Sequence, residues 1–382
     1  MQALIFSPTQ DGWEKSRGFR KTDIPLPALT GTLADRHSAI LRVRYAGVCG
    51  SDRGIFRREA FRDQILGSLA AEKKLYRILG HEFFGEVVDV GKEARRSFRL
   101  KPGDMVSCES HVVCRRCFQC RVGESHVCTN EKILGISHDG GFAEYVKVPA
   151  HIIWKTDTGK IRPEVATLQE PFGNAVHAAS KVPLKGKTVL ISGLGPIGLF
   201  LVLITRSLGA KRVIGIDPNL EARNMAKAFG IDEAFASGAP NVPHGVHNES
   251  IERIRSQTGG IGVDVAFEMA GYNSSLNTAL RATRRGGNVI LFGIKSGDFI
   301  LEDYHALVVR GVTMHAVIGR RLWDTWKMTR RLLENPKNRI QELLYTVMLK
   351  KGNGTIVNVA EYRNDLFEQK LKEHVKLLIK FA

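Results

Sequence analysis

Four cysteines, Cys114, Cys117, Cys120 and Cys128, fall within fifteen positions in the spacing Cys-x2-Cys-x2-Cys-x7-Cys. Thiolates this close on a looped backbone can close a tetrahedral shell around zinc, whose sulfur ligands sit at ~2.3 Å. Four sulfurs leave no open coordination position, so a zinc held there is structural. Six cysteines in a chain of 382 residues are too few for a disulfide scaffold. A second set has an open position. Cys49 begins Cys49-Gly-Ser51-Asp52, and His81 and Glu82 sit in Gly80-His-Glu-x-x-Gly85. Thiolate, imidazole and carboxylate all suit zinc, and three ligands leave a fourth place for water or substrate, as catalysis requires. Taken singly, Cys49 and His81 are better explained as a buried thiol and a hydrogen-bonded core histidine. Spacing alone does not bring them together.

A third constellation follows the apolar run 188–192: Gly193-Leu-Gly195-Pro196-Ile197-Gly198. The first glycine permits a tight turn, the second lets a pyrophosphate approach the backbone, and the third allows close packing of helix on strand. The next apolar run ends in Asp217, nineteen positions beyond Gly198. A carboxylate there accepts from the adenosine ribose hydroxyls and repels a 2′-phosphate, which favours NAD over NADP. Asp217 could instead cap the following helix, and Arg223 is near enough in sequence to reach the adenosine side and blur the preference.

The elements that must carry these residues divide the chain. Residues 1–171 show short strand-like runs, at 39–45, 84–90, 105–108 and 142–148, punctuated by Gly and Pro. This predicts a β-rich domain with the cysteine lobe at about 108–130. Residues 172–313 alternate apolar strands (188–192, 213–217, 263–268, 288–292) with helical stretches, the pattern of parallel strands joined by crossover helices. Residues 314–382 carry helical patterns at 323–333 and 366–380 and form either a third domain or a return to the first.

The composition is that of an ordinary globular protein, with 43% hydrophobic and 25% charged residues. Lys and Arg number 56 against 39 Asp and Glu, a net charge of +17. The basic residues are spread along the chain and lack the aromatic-interleaved pattern of nucleic-acid modules, so no specific nucleic-acid partner is expected. The apolar run 188–204 is interrupted by Ser192, three glycines and Pro196, so no membrane span is expected, and the first residues do not read as a secretory signal. A cytoplasmic location follows as an expectation.

Together these motifs, with Gly140-Gly-Phe-Ala-Glu-Tyr145, resemble the zinc-dependent medium-chain alcohol dehydrogenases over nearly the whole chain. The stretches 167–177, 108–114 and 319–326 are similar to the L-threonine 3-dehydrogenase branch. The resemblance implies an α/β two-domain fold: a GroES-like β-rich catalytic domain, completed by the carboxyl-terminal segment, and a Rossmann domain with a doubly wound parallel sheet. It makes Cys49 and His81 ligands of a catalytic zinc, and Glu82 and Glu170 ligands or neighbouring carboxylates that exchange with water. Ser51 becomes the hydroxyl relaying the alcohol proton and His111 a substrate-pocket histidine. Ala270, Phe292, Gly293, Ile294, Ile318 and Gly319 would line the nicotinamide. The implied reaction is hydride transfer from a secondary alcohol, a small molecule with L-threonine first, to NAD, by a homo-oligomer (tetramer or dimer).

Two departures qualify the substrate. The branch usually carries a histidine three residues beyond the relay hydroxyl, where this chain has Gly54. The 32 positions from Cys49 to His81 include a long segment, 57–77, rich in Arg and Lys. These features are closer to sorbitol- or glucose-type polyol and sugar dehydrogenases, and the basic segment raises an anionic alcohol as a third substrate class. A non-catalytic NAD-binding protein is the alternative from another class.

Overall fold

A computed structural model of the chain describes residues 1–238, 245–294 and 297–381. They form two compact units, Met1–Pro171 with Leu344–Ala382, and Phe172–Leu343.

The first unit is built on the ten-residue strand Ser38–Gly47, whose small and β-branched residues are largely buried. It pairs antiparallel with Glu82–Val90, Tyr145–Pro149 and Leu378–Lys380, at the heart of a seven-stranded sheet. The tail enters through Leu378–Lys380, with Ile356–Asn358 parallel beside it. The helical pattern expected over 366–380 resolves into a helix, Asn364–Glu373, and this strand. An apolar run of three residues after a helix continues its periodicity on paper, and only the partner strand makes it extended. The core is sealed by an aromatic cluster in which Phe19, Phe56, Phe142 and Phe367 are all buried and Phe19 contacts the other three.

The basic segment 57–77 is structural for the most part. It contains the helix Arg62–Glu72. Arg77 is fully buried and donates to Asp139 at 2.9 Å, Glu72 at 2.9 Å and Ser68 at 3.0 Å. Lys74 pairs with Asp139, Arg62 with Glu14, and the Arg58 guanidinium lies 4.7 Å over the Phe6 ring. Arg62, Lys74 and Arg77 of this segment thus have carboxylate partners within the unit.

The second unit is a six-stranded parallel sheet in the order Glu233–Phe235, Arg212–Ile216, Thr188–Ser192, Val263–Glu268, Thr283–Leu291, Thr313–Ala316. The order reverses between Thr188–Ser192 and Val263–Glu268, the switch point of a doubly wound sheet. The unit continues to Leu343, past the boundary expected at 313, because Thr313–Ala316 is the sixth strand and the amphipathic helix Asp324–Glu334 buries Trp326 and Leu333 within the same unit. The tail returns to the first unit only from Leu344. Among the described residues no helix is long and apolar enough to cross a membrane.

Candidate functional site

Strand register does what spacing could not. Gly47 is paired with Glu82, so the end of the central strand lies against the start of its neighbour. Two residues on, Cys49 caps the helix Gly50–Arg57, and its backbone N–H donates to Asp52 Oδ2 at 2.8 Å. One ligand atom each from Cys49, His81 and Glu82 consequently lie within 4.8 Å of one another, with His81 and Glu82 buried and Cys49 half-buried. The fit to a metal shows in the polar atoms left over: His81 Nδ1, Glu82 Oε1 and Asp52 Oδ1 are buried without a hydrogen-bond partner. Thiol, imidazole and carboxylate with such unspent lone pairs suit zinc.

The surroundings tune this group. Burial pushes the Asp52 pKa up to about 6, against the attraction of His81, whose Nδ1 is 3.7 Å away. Burial alone would lower the His81 pKa, but Asp52, Cys49 and Glu170 outweigh it and raise it. Ser51 Oγ lies 3.4 Å from His81 Nε2. At Gly54 a Cβ would stand 2.9 Å from Ala60 Cβ, so a longer side chain at that position requires Ala60 to move. Glu170 is buried and felt by His81, but it lies outside the trio of converging ligand atoms. His111 sits on a two-stranded hairpin, Nδ1 2.7 Å from Glu131, also apart from the trio. Lys376, absent from every motif, reaches Glu82 from the tail.

The four cysteines of the lobe converge as their spacing predicts, again within 4.8 Å and unbridged by disulfides. Cys114 Sγ accepts from the Cys117 N–H, and Cys128 Sγ from the Cys114 N–H, both at 3.3 Å. The amide of Cys120 is the largest influence drawing the Cys117 thiol down to about 6, whereas burial and the neighbouring thiols push Cys120 up to about 12. Four sulfurs converging at this distance can hold a cation as thiolates, and zinc matches the donors.

In the second unit the candidate cofactor residues follow the carboxyl ends of adjacent strands, where doubly wound sheets bind ligands. Gly193 has φ +99°, and a Cβ there would meet Ala270 N at 2.9 Å. A Cβ on Gly198 would stand 2.0 Å from Gly193 O, while at Gly195, which caps the helix Pro196–Ser207, the space is open. Asp217 accepts from the Leu194 N–H at 2.7 Å and the Asn219 N–H at 2.8 Å, so it steadies the glycine turn as well as facing the cavity. Arg223 donates to the carbonyls of Asp217 and Pro218. A cavity of about 500 Å³ is lined by Gly193, Gly195, Asp217, Ala270 and others, and these residues could hold a dinucleotide. Ile197 lies in the first turn of the helix behind Pro196.

The structure adds two residues that no motif marked. Glu268, buried at the end of its strand, accepts at one oxygen from the amides of Ala270 and Gly271, each at 2.9 Å, and from Ser275 Oγ at 2.7 Å. Its backbone carbonyl accepts from Phe292 and Gly293, so it ties two of the expected nicotinamide loops together, with Ile294 largely exposed beside them. His247 lines the cavity with Nδ1 buried and unpartnered. The third loop, with Ile318 half-exposed, is held from another side: Gly319 O lies 3.0 Å from His177 Nδ1, and Arg320 donates to Asn174 at 2.8 Å. The stretches 167–177 and 319–326, far apart in sequence, therefore meet.

Residues 35–158 match the alcohol dehydrogenase GroES-like domain and residues 196–335 the zinc-binding dehydrogenase family. The chain is 36% identical to an L-threonine 3-dehydrogenase of Symbiobacterium thermophilum over 319 residues, 84% of each chain. It is 35% identical to an L-threonine 3-dehydrogenase of Pyrococcus horikoshii, over 80% of this chain and 82% of that one. Among solved structures, an alcohol dehydrogenase from Thermus sp. ATN1 shares the fold over the whole of both chains, with a TM-score of 0.80 at 23% identity. Two domain matches and relatives this similar over most of their length place the chain in the zinc-dependent medium-chain alcohol dehydrogenase family, on the branch of its L-threonine 3-dehydrogenase relatives.

Proposed function

We propose that this chain oxidises the secondary alcohol of L-threonine to a ketone and reduces NAD, using a zinc ion held by Cys49 and His81. The observation that carries the chemistry is the convergence of Cys49, His81 and Glu82 within 4.8 Å; the substrate rests on the threonine dehydrogenase relatives. Bound zinc supplies the Lewis acidity that lowers the pKa of a substrate hydroxyl. The chain's own residues do the rest. Ser51 relays the alcohol proton, accepting it at Oγ as its own hydroxyl proton passes to water, and His111, steadied by Glu131, is the pocket histidine of this reading. Glu82 and Glu170 act as neighbouring carboxylates. The loops at Ala270, Phe292 to Ile294 and Ile318 to Gly319 orient the nicotinamide for hydride transfer. Asp217, a carboxylate at the cavity, supports NAD over NADP. We also propose self-association, supported by exposed Met314 on the edge strand Thr313–Ala316 and by exposed Tyr304, Val308 and Val309 on the helix Tyr304–Arg310 that precedes it.

NAD reduction by zinc-loaded protein, measured across L-threonine, its stereoisomers, 2,3-butanediol, sorbitol and glucose, tests the reading. Clear preference for L-threonine is expected. Preference for sorbitol or glucose would establish the second reading, which the blocked position at Gly54 favours. Cys49→Ala should abolish turnover and spare NAD binding; an active, zinc-loaded Cys49→Ala protein would refute the assignment.

A further inference from the structure

One wall of the dinucleotide cavity carries a buried imidazole with nothing to bind. His247 is the N-cap of the helix Asn248–Gln257, a place where Ser, Thr, Asp or Asn usually accept from the helix amides, yet its side chain makes no cap. Its backbone N–H donates to the buried Thr278 Oγ1 at 2.9 Å, and Ser250 in the first turn donates to Ser237 O at 2.9 Å. The residue is thereby held between the loop after Glu233–Phe235 and the helix Asn273–Ala282. The ring is only 8% exposed. Its Nδ1 is sealed without a partner, whereas Nε2, also without a partner among the described residues, keeps access to the cavity.

Strand order gives this wall its place. Asp217 follows Arg212–Ile216 and Ser237 follows the edge strand beyond it, while Ala270 follows Val263–Glu268 on the other side of the glycine turn. A dinucleotide with its pyrophosphate at that turn and a ribose at Asp217 therefore has its adenine towards Ser237, Gly238 and His247, away from the nicotinamide loops. A phosphate does not suit this end. Asp217 is a carboxylate, Glu249 Oε2 lies 3.7 Å from where a Cβ on Gly238 would stand, and no Lys or Arg is among the described lining residues. Burial lowers the His247 pKa from 6.5, so the ring is neutral at pH 7. A neutral imidazole carries one proton. On Nδ1 it would be a buried donor with no acceptor, which is worse than a buried lone pair, so it sits on Nε2 and the cavity meets an N–H. A donor beside a carboxylate complements the edge of adenine where the ring nitrogen N1, an acceptor, adjoins the exocyclic amine, a donor.

We propose that His247 is a specificity-determining residue for the base of the cofactor, donating from Nε2 to N1 of adenine. The inference rests on the NAD site described above and is independent of the alcohol substrate and of zinc.

The test is calorimetric binding to the full-length protein of NAD, ADP-ribose and nicotinamide hypoxanthine dinucleotide, in which a carbonyl replaces the amine and N1 carries a proton. Wild type should bind NAD about tenfold more tightly than the hypoxanthine form, because one hydrogen bond becomes two opposed donors. His247→Phe keeps a ring in the wall and removes the donor. It should bind NAD and ADP-ribose about tenfold more weakly than wild type does, and the two dinucleotides alike. Equal affinity of wild type for the two dinucleotides would overturn the proposal. So would a His247→Phe protein that keeps the wild-type preference, since a residue that only packs the wall would weaken both dinucleotides together. If His247→Phe does not fold, wild type decides: a tenfold preference supports the proposal and equal affinity overturns it. Failure of wild type to bind NAD and ADP-ribose would refute the dinucleotide site itself, whereas tight NAD binding without base preference would refute only the role of His247.

Discussion

Arg77 offers a direct measure of what the basic segment does. Its guanidinium is fully buried against Asp139, Glu72 and Ser68. Arg77→Met keeps the stem and removes the charge, which leaves two carboxylates short of a partner. Breaking a buried pair in this way typically costs ~3–5 kcal/mol. Asp139 retains Lys74 at 2.6 Å and Glu72 retains Lys132 at 2.8 Å, and both carboxylates are partly exposed, so the loss belongs at the low end, about 3 kcal/mol. For a unit of this size that corresponds to roughly 6–12 °C in melting temperature. The pH dependence provides a second check. Burial alone would raise the Glu72 pKa, but Lys132 and Arg77 outweigh it and bring it from 4.5 to about 2. A depressed carboxyl contributes stability that is present above its ordinary value of 4.5 and disappears as pH falls towards about 2. The deficit of the variant, followed by urea denaturation, should therefore be full at neutral pH and shrink below 4.5. A deficit under about 1 kcal/mol, the value of an exposed pair, or one that does not change with pH, would refute this account of the segment.

Glu268→Gln should weaken NAD binding by about tenfold, ~1.4 kcal/mol, because a carboxamide oxygen replaces a charged acceptor of three donors. Burial raises the Glu268 pKa, so its ionised form destabilises the fold; the variant should melt higher than wild type at neutral pH, and the gain should vanish in acid. Unchanged NAD affinity by titration would remove Glu268 from the cofactor site. Cys128→Ser should reduce bound zinc by one ion per chain, read by elemental analysis, and make the lobe sensitive to protease while NAD binding persists. Gly54→His should cost ~1–3 kcal/mol through the clash with Ala60, most of it recovered by adding Ala60→Gly; thermal melts of the two variants check this.

The parts of this protein that could be read directly are those in which chemistry and geometry are local. Four cysteines within fifteen residues can meet only one another, and a strand, three glycines and a helix start define the dinucleotide turn within a dozen positions. The alternation of strands and helices likewise announced a parallel sheet. Long-range pairing decided the rest. Cys49 and His81 meet because a strand register sets Gly47 opposite Glu82, and register depends on the burial of whole strands, which no short motif records. Thr313–Ala316 is four residues long and becomes the sixth strand only through the hydrogen bonds of its neighbour Thr283–Leu291. No motif marks Lys376, Glu268 or Arg77 for burial, and Lys, Glu and Arg are almost never fully buried without partners. Only the folded chain, where desolvation makes each pairing obligatory, places a charge beside Glu82, beneath the loop at Ala270 and Gly271, and under the helix Arg62–Glu72.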